Sequence, residues 1–345
     1  MAQGSDKDDR TRIILAHGGG GELTRRLLSD RIIPKLANDL LSPLADSAVI
    51  DPQPGKLCMT TDSYVVQPLE FSGGDIGRLA VCGTVNDLAV MGAKPISLSL
   101  AMVLEEGLDM AVLDRIVDSI AASARQAGVP VATGDTKVVE RGGVGGGMTI
   151  TTAGLGSLPP GMPPDPQTIA AGDAILVSGP IADHGLAVMA ARKGLGIRST
   201  LASDVAPLAG LVAALLNSGD GVKFMRDPTR GGLAGLLADL SEQLGRNIEI
   251  RERNVPLTPA ARHAAELLGL DPLAVANEGK VVAVVAADAA EKVLAACRAH
   301  PLGAGAAIVG HIGETADWPL VELVTAAGGK RIVQRPYGEE LPRIC

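Results

Sequence analysis

Leu158-Pro159-Pro160-Gly161-Met162-Pro163-Pro164-Asp165-Pro166 divides the chain. Five prolines in nine residues fix φ and remove N–H donors, so neither a helix nor a central strand runs through this segment. It marks a domain boundary in a chain of 345 residues, a length that suits two domains with a core each. Upstream of it, Met148–Leu155 and Val129–Val139 read as extended. Before them Asp109 opens a helix with Val112, Ile116, Ile120 and Ala124 along one stripe and Gly128 as its stop. Pro95–Leu104 reads as a strand, and Asp75 as the N-cap of a helix ending at Gly92. Leu57–Val66 and Ala45–Ile50 read as strands, preceded by a helix carrying Leu23, Leu27, Ile33, Leu36 and Leu40. Downstream come strand Ala174–Ser178, helices Asp183–Lys193, Pro207–Asn217 and Thr229–Leu244, and the extended run Ile248–Arg251. Helix Thr258–Leu268, strand Lys280–Ala286 and helix Asp288–His300 follow, then strands Ile308–Ile312, Leu320–Val324 and Arg331–Gln334. Strands and helices alternate in both halves, which predicts α/β (α+β) architecture. The expected layout is a disordered arm over 1–11, domains over 12–157 and 167–335, and a mobile tail over 336–345.

Composition narrows the function. Net charge is -8 and the only aromatic residues are Phe71, Phe224, Tyr64, Tyr337 and Trp318, so nucleic-acid binding is disfavoured on both counts. No apolar run reaches membrane-spanning length. The four cysteines, Cys58, Cys82, Cys297 and Cys345, form no C-x-x-C pair, and Met1 to Arg10 is polar and charged; this predicts a reducing cytoplasm. Cys58, Cys82 and Cys297 sit among apolar residues and are expected to fill core.

Cys345 is different: a thiol on the last residue, after Pro336, Gly338 and the acidic pair Glu339-Glu340. Such a tail can hand a thiolate from one place to another, with Arg343 drawing the thiol pKa down and the terminal carboxylate pushing it up; the plain alternative is an incidental cysteine at a chain end. Asp46, Asp62, Asp87 and Asp135 recur in similar short polar contexts beside apolar runs. One such aspartate is ordinarily a cap or turn residue. Four suggest a site shared by Mg2+ and the phosphates of a nucleotide. His17-Gly18-Gly19-Gly20-Gly21 and Arg141 to Gly147 are loops able to offer backbone N–H groups, although neither is a P-loop or a dinucleotide fingerprint. Asp227-Pro228-Thr229-Arg230-Gly231-Gly232 delivers an acid and a cation to a helix start, where anions bind. Lys137 lies in an apolar strand predicted to be buried, and Glu278 precedes another, so each needs a partner or a task. Among the histidines only His17, beside the glycines, stands out; His184, His263, His300 and His311 read as surface or structural.

These pieces together resemble the HypE family of hydrogenase maturation factors, in the superfamily of aminoimidazole ribonucleotide synthetase, thiamine-monophosphate kinase and selenophosphate synthetase. The resemblance runs nearly end to end. It is carried by Ala16 to Gly21, Thr60-Thr61-Asp62-Ser63, Asn86 to Ala93, Gly134 to Val139, Asp227 to Gly232, Asn277-Glu278-Gly279 and, most specifically, Pro342-Arg343-Ile344-Cys345. Gly19 stands where the family usually has serine, and no cysteine occupies the first glycine loop as selenophosphate synthetase requires. The resemblance implies a PurM-like two-domain fold whose N-terminal sheets form a dimer barrel, with ATP near that interface. It implies that a carbamoyltransferase, HypF, loads Cys345, and that ATP and Mg2+ then serve to dehydrate the S-carboxamide to an S-cyanate. The nitrile passes to iron on a HypC-HypD scaffold for the NiFe centre. Gly18, Gly20, Asp62, Asn86, Asp87, Asp135, Thr136, Asp227, Thr229, Arg230 and Gly231 are the expected nucleotide-binding positions, and Asp46, Asp62, Asp87 and Asp135 the metal ligands. Cys345, Lys137, Glu278 and His17 are the expected catalytic set, with Lys137 and Glu278 dividing the roles of base and orienting group. The rival readings are a small-molecule kinase or cyclo-ligase of the same superfamily, and a nucleotide-binding thiol carrier without chemistry.

Overall fold

The computed structural model describes residues 11–336 and Ile344, apart from 46, 52–54, 163 and 193–199. In the first half, α1 (Glu22–Leu27) passes through a π turn at Leu28–Ile32 into α2 (Ile33–Leu36). Then follow β1 (Lys56–Tyr64), the hairpin β2 (Glu70–Phe71) and β3 (Gly74–Asp75), α3 (Ile76–Val90), β4 (Lys94–Glu105), α4 (Met110–Ala127), β5 (Val131–Val139) and β6 (Met148–Leu158). Asp75 and Asp109 cap α3 and α4 through their side chains, and Gly128 closes α4 in the left-handed region, as their residue types dictate.

The four-stranded sheet has the order β1-β6-β4-β5, parallel only between β4 and β5. α3 packs on one face of it, against β1 and β6. Strand residues alternate accordingly: Thr60, Asp62 and Tyr64 turn to α3, while Leu57 and Met59 on the other face are 58% and 75% exposed. The run Ala45–Ile50, expected as a strand, is irregular where described and leaves Val49 86% exposed, because no strand among the described residues pairs with it.

The second half holds β7 (Ala174–Val177), α5 (Asp183–Arg192), α6 (Ala209–Leu216), β8 (Val222–Arg226), α7 (Gly232–Leu244), β9 (Arg246–Arg251) and α8 (Pro259–Leu268). β10 (Val282–Val285), α9 (Ala290–Ala299), β11 (Ala307–Thr315), β12 (Val321–Val324) and β13 (Lys330–Val333) complete it. Its seven strands run in the order β13-β12-β9-β11-β7-β10-β8. β8 has no counterpart in the sequence reading: it is a short edge strand whose Lys223 breaks the apolar pattern to pair with buried Asp173 at 2.8 Å. α7 begins at Gly232 rather than Thr229, since Gly231 and Gly232 hold φ of 76° and 59° and complete a turn first. Cys82 and Cys297 are buried as expected; Cys58 is half-buried, because β1 is an edge strand.

Candidate active site

Positions 83 and 87 of α3 are one helical turn apart and face β1. Thr60 Oγ1 donates to Asp87 Oδ2 at 2.8 Å, and Tyr64 Oη donates to Asp62 Oδ2 at 3.2 Å. Gly83 makes room for that tyrosine: a Cβ there would lie 2.3 Å from Tyr64 Oη. The N-terminal half of the site is thus two neighbouring carboxylates, each steadied by a neutral hydroxyl.

The other half comes from the second domain. Asn277 is completely buried; its Nδ2 donates to Pro228 O at 2.9 Å and its Oδ1 accepts from Ala182 N at 2.7 Å. This fixes the Asp227-Pro228 turn beside Glu278. Asp204 frames Glu278 from the other side, accepting from the amides of Glu278 at 3.1 Å and Gly279 at 3.3 Å, and is itself paired with buried Lys280 at 3.0 Å. The resulting cleft, about 100 Å³, is lined by Asp62, Ser63, Tyr64, Gly83, Asp87, Asp227, Thr229, Arg230 and Glu278.

Four acids around so small a space repel one another. Burial, opposed by the Thr60 bond and reinforced by Asp62, pushes Asp87 up to about 6. Burial and then the Asp87 charge push Asp227 up to about 7. Glu278, 2% exposed, is raised well above the usual carboxylate range, by burial first and then by Asp227, Asp204, Asp62 and Asp87. Its Oε1 is buried with no hydrogen-bond partner. Buried polar atoms normally find one, so this atom is an opening for a ligand. Strong perturbation within a cleft is also the mark of a working site.

Several expected residues lie elsewhere. Asp135 is on β5 and Asp62 on β1, the opposite edges of the sheet, three inter-strand spacings or about 14 Å apart. One chain therefore does not bring them to a common ion. Lys137 is not buried: on the edge strand its side chain is 64% exposed and pairs with Asp135 at 3.2 Å. Thr136 donates its amide to Asp135, and neither it nor Lys137 reaches the cleft. His17 is buried with Nδ1 accepting from Ile14 N at 3.0 Å, a structural role, and it does not line the cleft. Gly18 packs on β5, where a Cβ would meet Val138 N at 2.7 Å, and Gly20 donates its amide to Thr24 Oγ1.

Two expectations are corrected outright. The loop at Arg141–Gly147 has an occupant of its own, since Glu105 accepts from the amides of Val144, Gly145 and Gly147 at 2.8, 2.6 and 3.2 Å. Burial alone would raise the Glu105 pKa, but these amides outweigh it and hold it low. Asn86 is not free for a nucleotide either. Its Nδ2 donates to Ala206 O and Glu278 O, both at 3.1 Å, and its Oδ1 accepts from Leu208 N at 2.7 Å, joining the two domains. Asp46 and Cys345 lie outside the described residues. Among the described residues no group of three His, Cys, Asp or Glu side chains is arranged to hold a metal by itself. Sequence reasoning quoted Thr60 and Ser63 only within the motif around Asp62, with no role for either, and missed Tyr64, Gly83 and Asp204. Tyr64, one of two tyrosines in the chain, offered the one available signal.

Two mixed α/β domains meeting at an acidic cleft define an AIR synthase related protein, and the family's N-terminal domain matches residues 44–158 and its C-terminal domain residues 170–317. Carbamoyl dehydratase HypE of Azotobacter vinelandii is 47% identical over 331 residues, 96% of each chain. The chain belongs to the HypE family. A crystal structure of hydrogenase maturation protein HypE in complex with ATP superposes with a TM-score of 0.90 at 42% identity, covering 96% of this chain and 99% of that one. HypE in a HypE-HypF complex superposes with a TM-score of 0.78 at 43% identity, covering 92% and 100%. The PurM-like α/β reading holds. No described helix is long and apolar enough to cross a membrane.

Proposed function

We propose that this chain is an ATP-dependent carbamoyl dehydratase that converts an S-carboxamide on Cys345 to a thiocyanate, the source of cyanide for a NiFe hydrogenase centre. The observation that carries the reading is Glu278: a buried carboxyl with one oxygen unpartnered, in a cleft that an acid-rich wall makes ready for a cation and phosphates. Transfer of the γ-phosphoryl group to the carboxamide oxygen makes that oxygen a leaving group. Loss of two N–H protons and of phosphate then leaves the carbon-nitrogen triple bond, for a net yield of thiocyanate, ADP, phosphate and a proton.

Asp62 and Asp87 suit Mg2+, which accepts a few carboxylates and takes its other ligands from phosphate and water. Bound there, the ion would neutralise phosphate charge and relieve the mutual repulsion of the acids. Thr229, Arg230 and Gly231, on the turn into α7, face the phosphates. Glu278, once ionised, is a stronger base than a solvated glutamate and takes the N–H proton.

A homodimer accounts for the remaining positions. Among the described residues β1 and β5 are the two edges of the sheet, and closing two sheets into a barrel about a twofold axis sets β5 of one copy beside β1 of the other. Asp135, Thr136 and Lys137, with the turn that carries His17 and Gly18 packed against β5, then approach the cleft of the second copy, and Gly20 follows that turn. Lys137 there orients or polarises the carboxamide. HypF is the supplier of the carbamoyl group and HypC-HypD the acceptor of the nitrile.

The test is mass spectrometry on carbamoyl-loaded protein. Addition of ATP and Mg2+ removes the mass of one water, Glu278→Gln slows that loss at least about 100-fold, and Cys345→Ala cannot be loaded. ATP turnover on a small molecule surviving Cys345→Ala would instead favour a kinase or cyclo-ligase. An unchanged mass would leave a passive carrier.

A further inference from the structure

His184 belongs to no motif and takes no part in the chemistry above. It sits at the start of α5 with no exposed surface, its ring meeting Phe71 edge-on at 5.5 Å between centroids and 84° between planes. Nε2 lies 2.7 Å from the carbonyl oxygen of Ile344, and Nδ1 lies 2.8 Å from Ser203 Oγ. A carbonyl only accepts, so Nε2 carries the hydrogen and Nδ1 must accept one from Ser203. The serine is placed to give it, because its oxygen already accepts from Val205 N at 3.1 Å. One tautomer satisfies the whole chain of bonds. Burial lowers the pKa of His184, so the ring is a neutral single donor at Nε2.

Ile344 is gripped twice. The Ile344 side chain is 4% exposed, within the core cluster that includes Phe71, Val188, Val205 and Ala276, and its carbonyl is held by His184. Ser203, which orients His184, is followed by Asp204, whose carboxylate holds the amides of Glu278 and Gly279. One dipeptide thereby joins the grip on the penultimate residue to the frame of the residue assigned as base.

We propose that His184, oriented by Ser203, is the positioning residue that seats the chain end for reaction, by reading the backbone carbonyl of Ile344 so that the next residue, Cys345, enters in register with Glu278. This rests on Cys345 as the carrier. Recognition through a carbonyl is indifferent to what the thiol bears, so one seat serves the loaded and the converted tail.

The experiment compares His184→Phe, which keeps a buried ring and loses the donor, with His184→Gln, which keeps an N–H near the Nε2 position. The first readout is release of Cys345 from the folded chain by a carboxypeptidase, followed by mass. The Phe variant should release it about tenfold faster, the order expected for one buried carbonyl losing its donor, with Gln close to the parent. The second readout is the single-turnover loss of water from carbamoyl-loaded protein, about tenfold slower in Phe and restored in Gln, with binding of a non-hydrolysable ATP analogue unchanged. Should Phe not be accommodated, Ser203→Ala should also speed release. Parental release rates in Phe, or a Gln variant that behaves as Phe does, would overturn the proposal. Altered release without water loss in any variant, the parent included, would uphold the latch and remove the dehydratase reading instead.

Discussion

Asp227→Asn should make the nucleotide-free protein clearly more stable at pH 8 and only slightly so at pH 4.5. The Asp227 carboxyl is raised to about 7 from an ordinary 3.8, burial being the larger cause and Asp87 the next. The folded state thus holds this proton more tightly than the unfolded chain does. Between about pH 4 and 7 unfolding releases it, so stability falls as pH rises through that window. The full shift corresponds to about 4 kcal/mol. Part of it is repulsion shared with Asp87, itself raised to about 6, and that part belongs to the pair. Taking half leaves roughly 2 kcal/mol, or about 3 °C in Tm for a chain of this size. Asparagine keeps the shape and has no proton to lose. Thermal unfolding of both proteins, without nucleotide, at half-unit steps from pH 4.5 to 8 reads the difference, since carboxylates outside the cleft titrate in both and cancel. A gain absent at pH 8, or equal at both ends, would refute the claim that these acids are crowded at a cost. The stabilised variant should lose ATP-dependent water loss, because the charge that strains the empty cleft is the charge that receives the cation.

Gly83→Ala should destabilise the protein by about 1–3 kcal/mol in urea unfolding, since the new methyl would meet Tyr64 Oη at 2.3 Å and break its bond to Asp62. Asn86→Ala strands Ala206 O, Glu278 O and Leu208 N at the junction of the domains; roughly 3 kcal/mol should be lost, seen as a lower urea midpoint. Glu105→Gln replaces a carboxylate that three amides hold ionised. Its cost of about 1–2 kcal/mol should be full above the ordinary carboxylate range and fade as pH falls through the depressed Glu105 pKa, as read from Tm against pH.

The elements were largely legible because local chemistry sets them: Asp75, Asp109 and Thr258 open helices in sequence and cap them in space, and Gly128 stops a helix by its left-handed turn. Ala45–Ile50 and β8 failed in opposite senses, one a run ending in Ala-Val-Ile that pairs with no strand among the described residues, the other a polar edge whose Lys223 pairs with Asp173. Asp62, Asp87, Asp227 and Glu278 were legible as acids with a purpose, but their convergence was not, since it depends on where two domains meet. Lys137 misled because an apolar strand reads as buried whether it is central or at an edge. The glycines of 141–147 misled because nothing in a loop's own composition says that Glu105, about forty residues earlier, already fills it.

The same residues explain why neutral groups matter as much as charged ones here. Left alone, Asp62, Asp87, Asp227 and Glu278 would move apart or protonate. Asn86 ties Glu278 O to α3, Asn277 ties Pro228 to the segment that carries Glu278, and Asp204 binds that segment's amides; none of these contacts involves the acids' own side chains. The frame therefore holds the backbone and leaves the carboxyl oxygens to a ligand. Glu278 is the extreme case, with its amide and carbonyl both engaged and one carboxyl oxygen without a partner. A site whose rigidity comes from side-chain amides and whose reactivity comes from unsatisfied carboxylates can be broken in two ways. Cutting the frame at Asn86 should lower stability at every pH, whereas neutralising Asp227 should raise it only where that group would otherwise be charged.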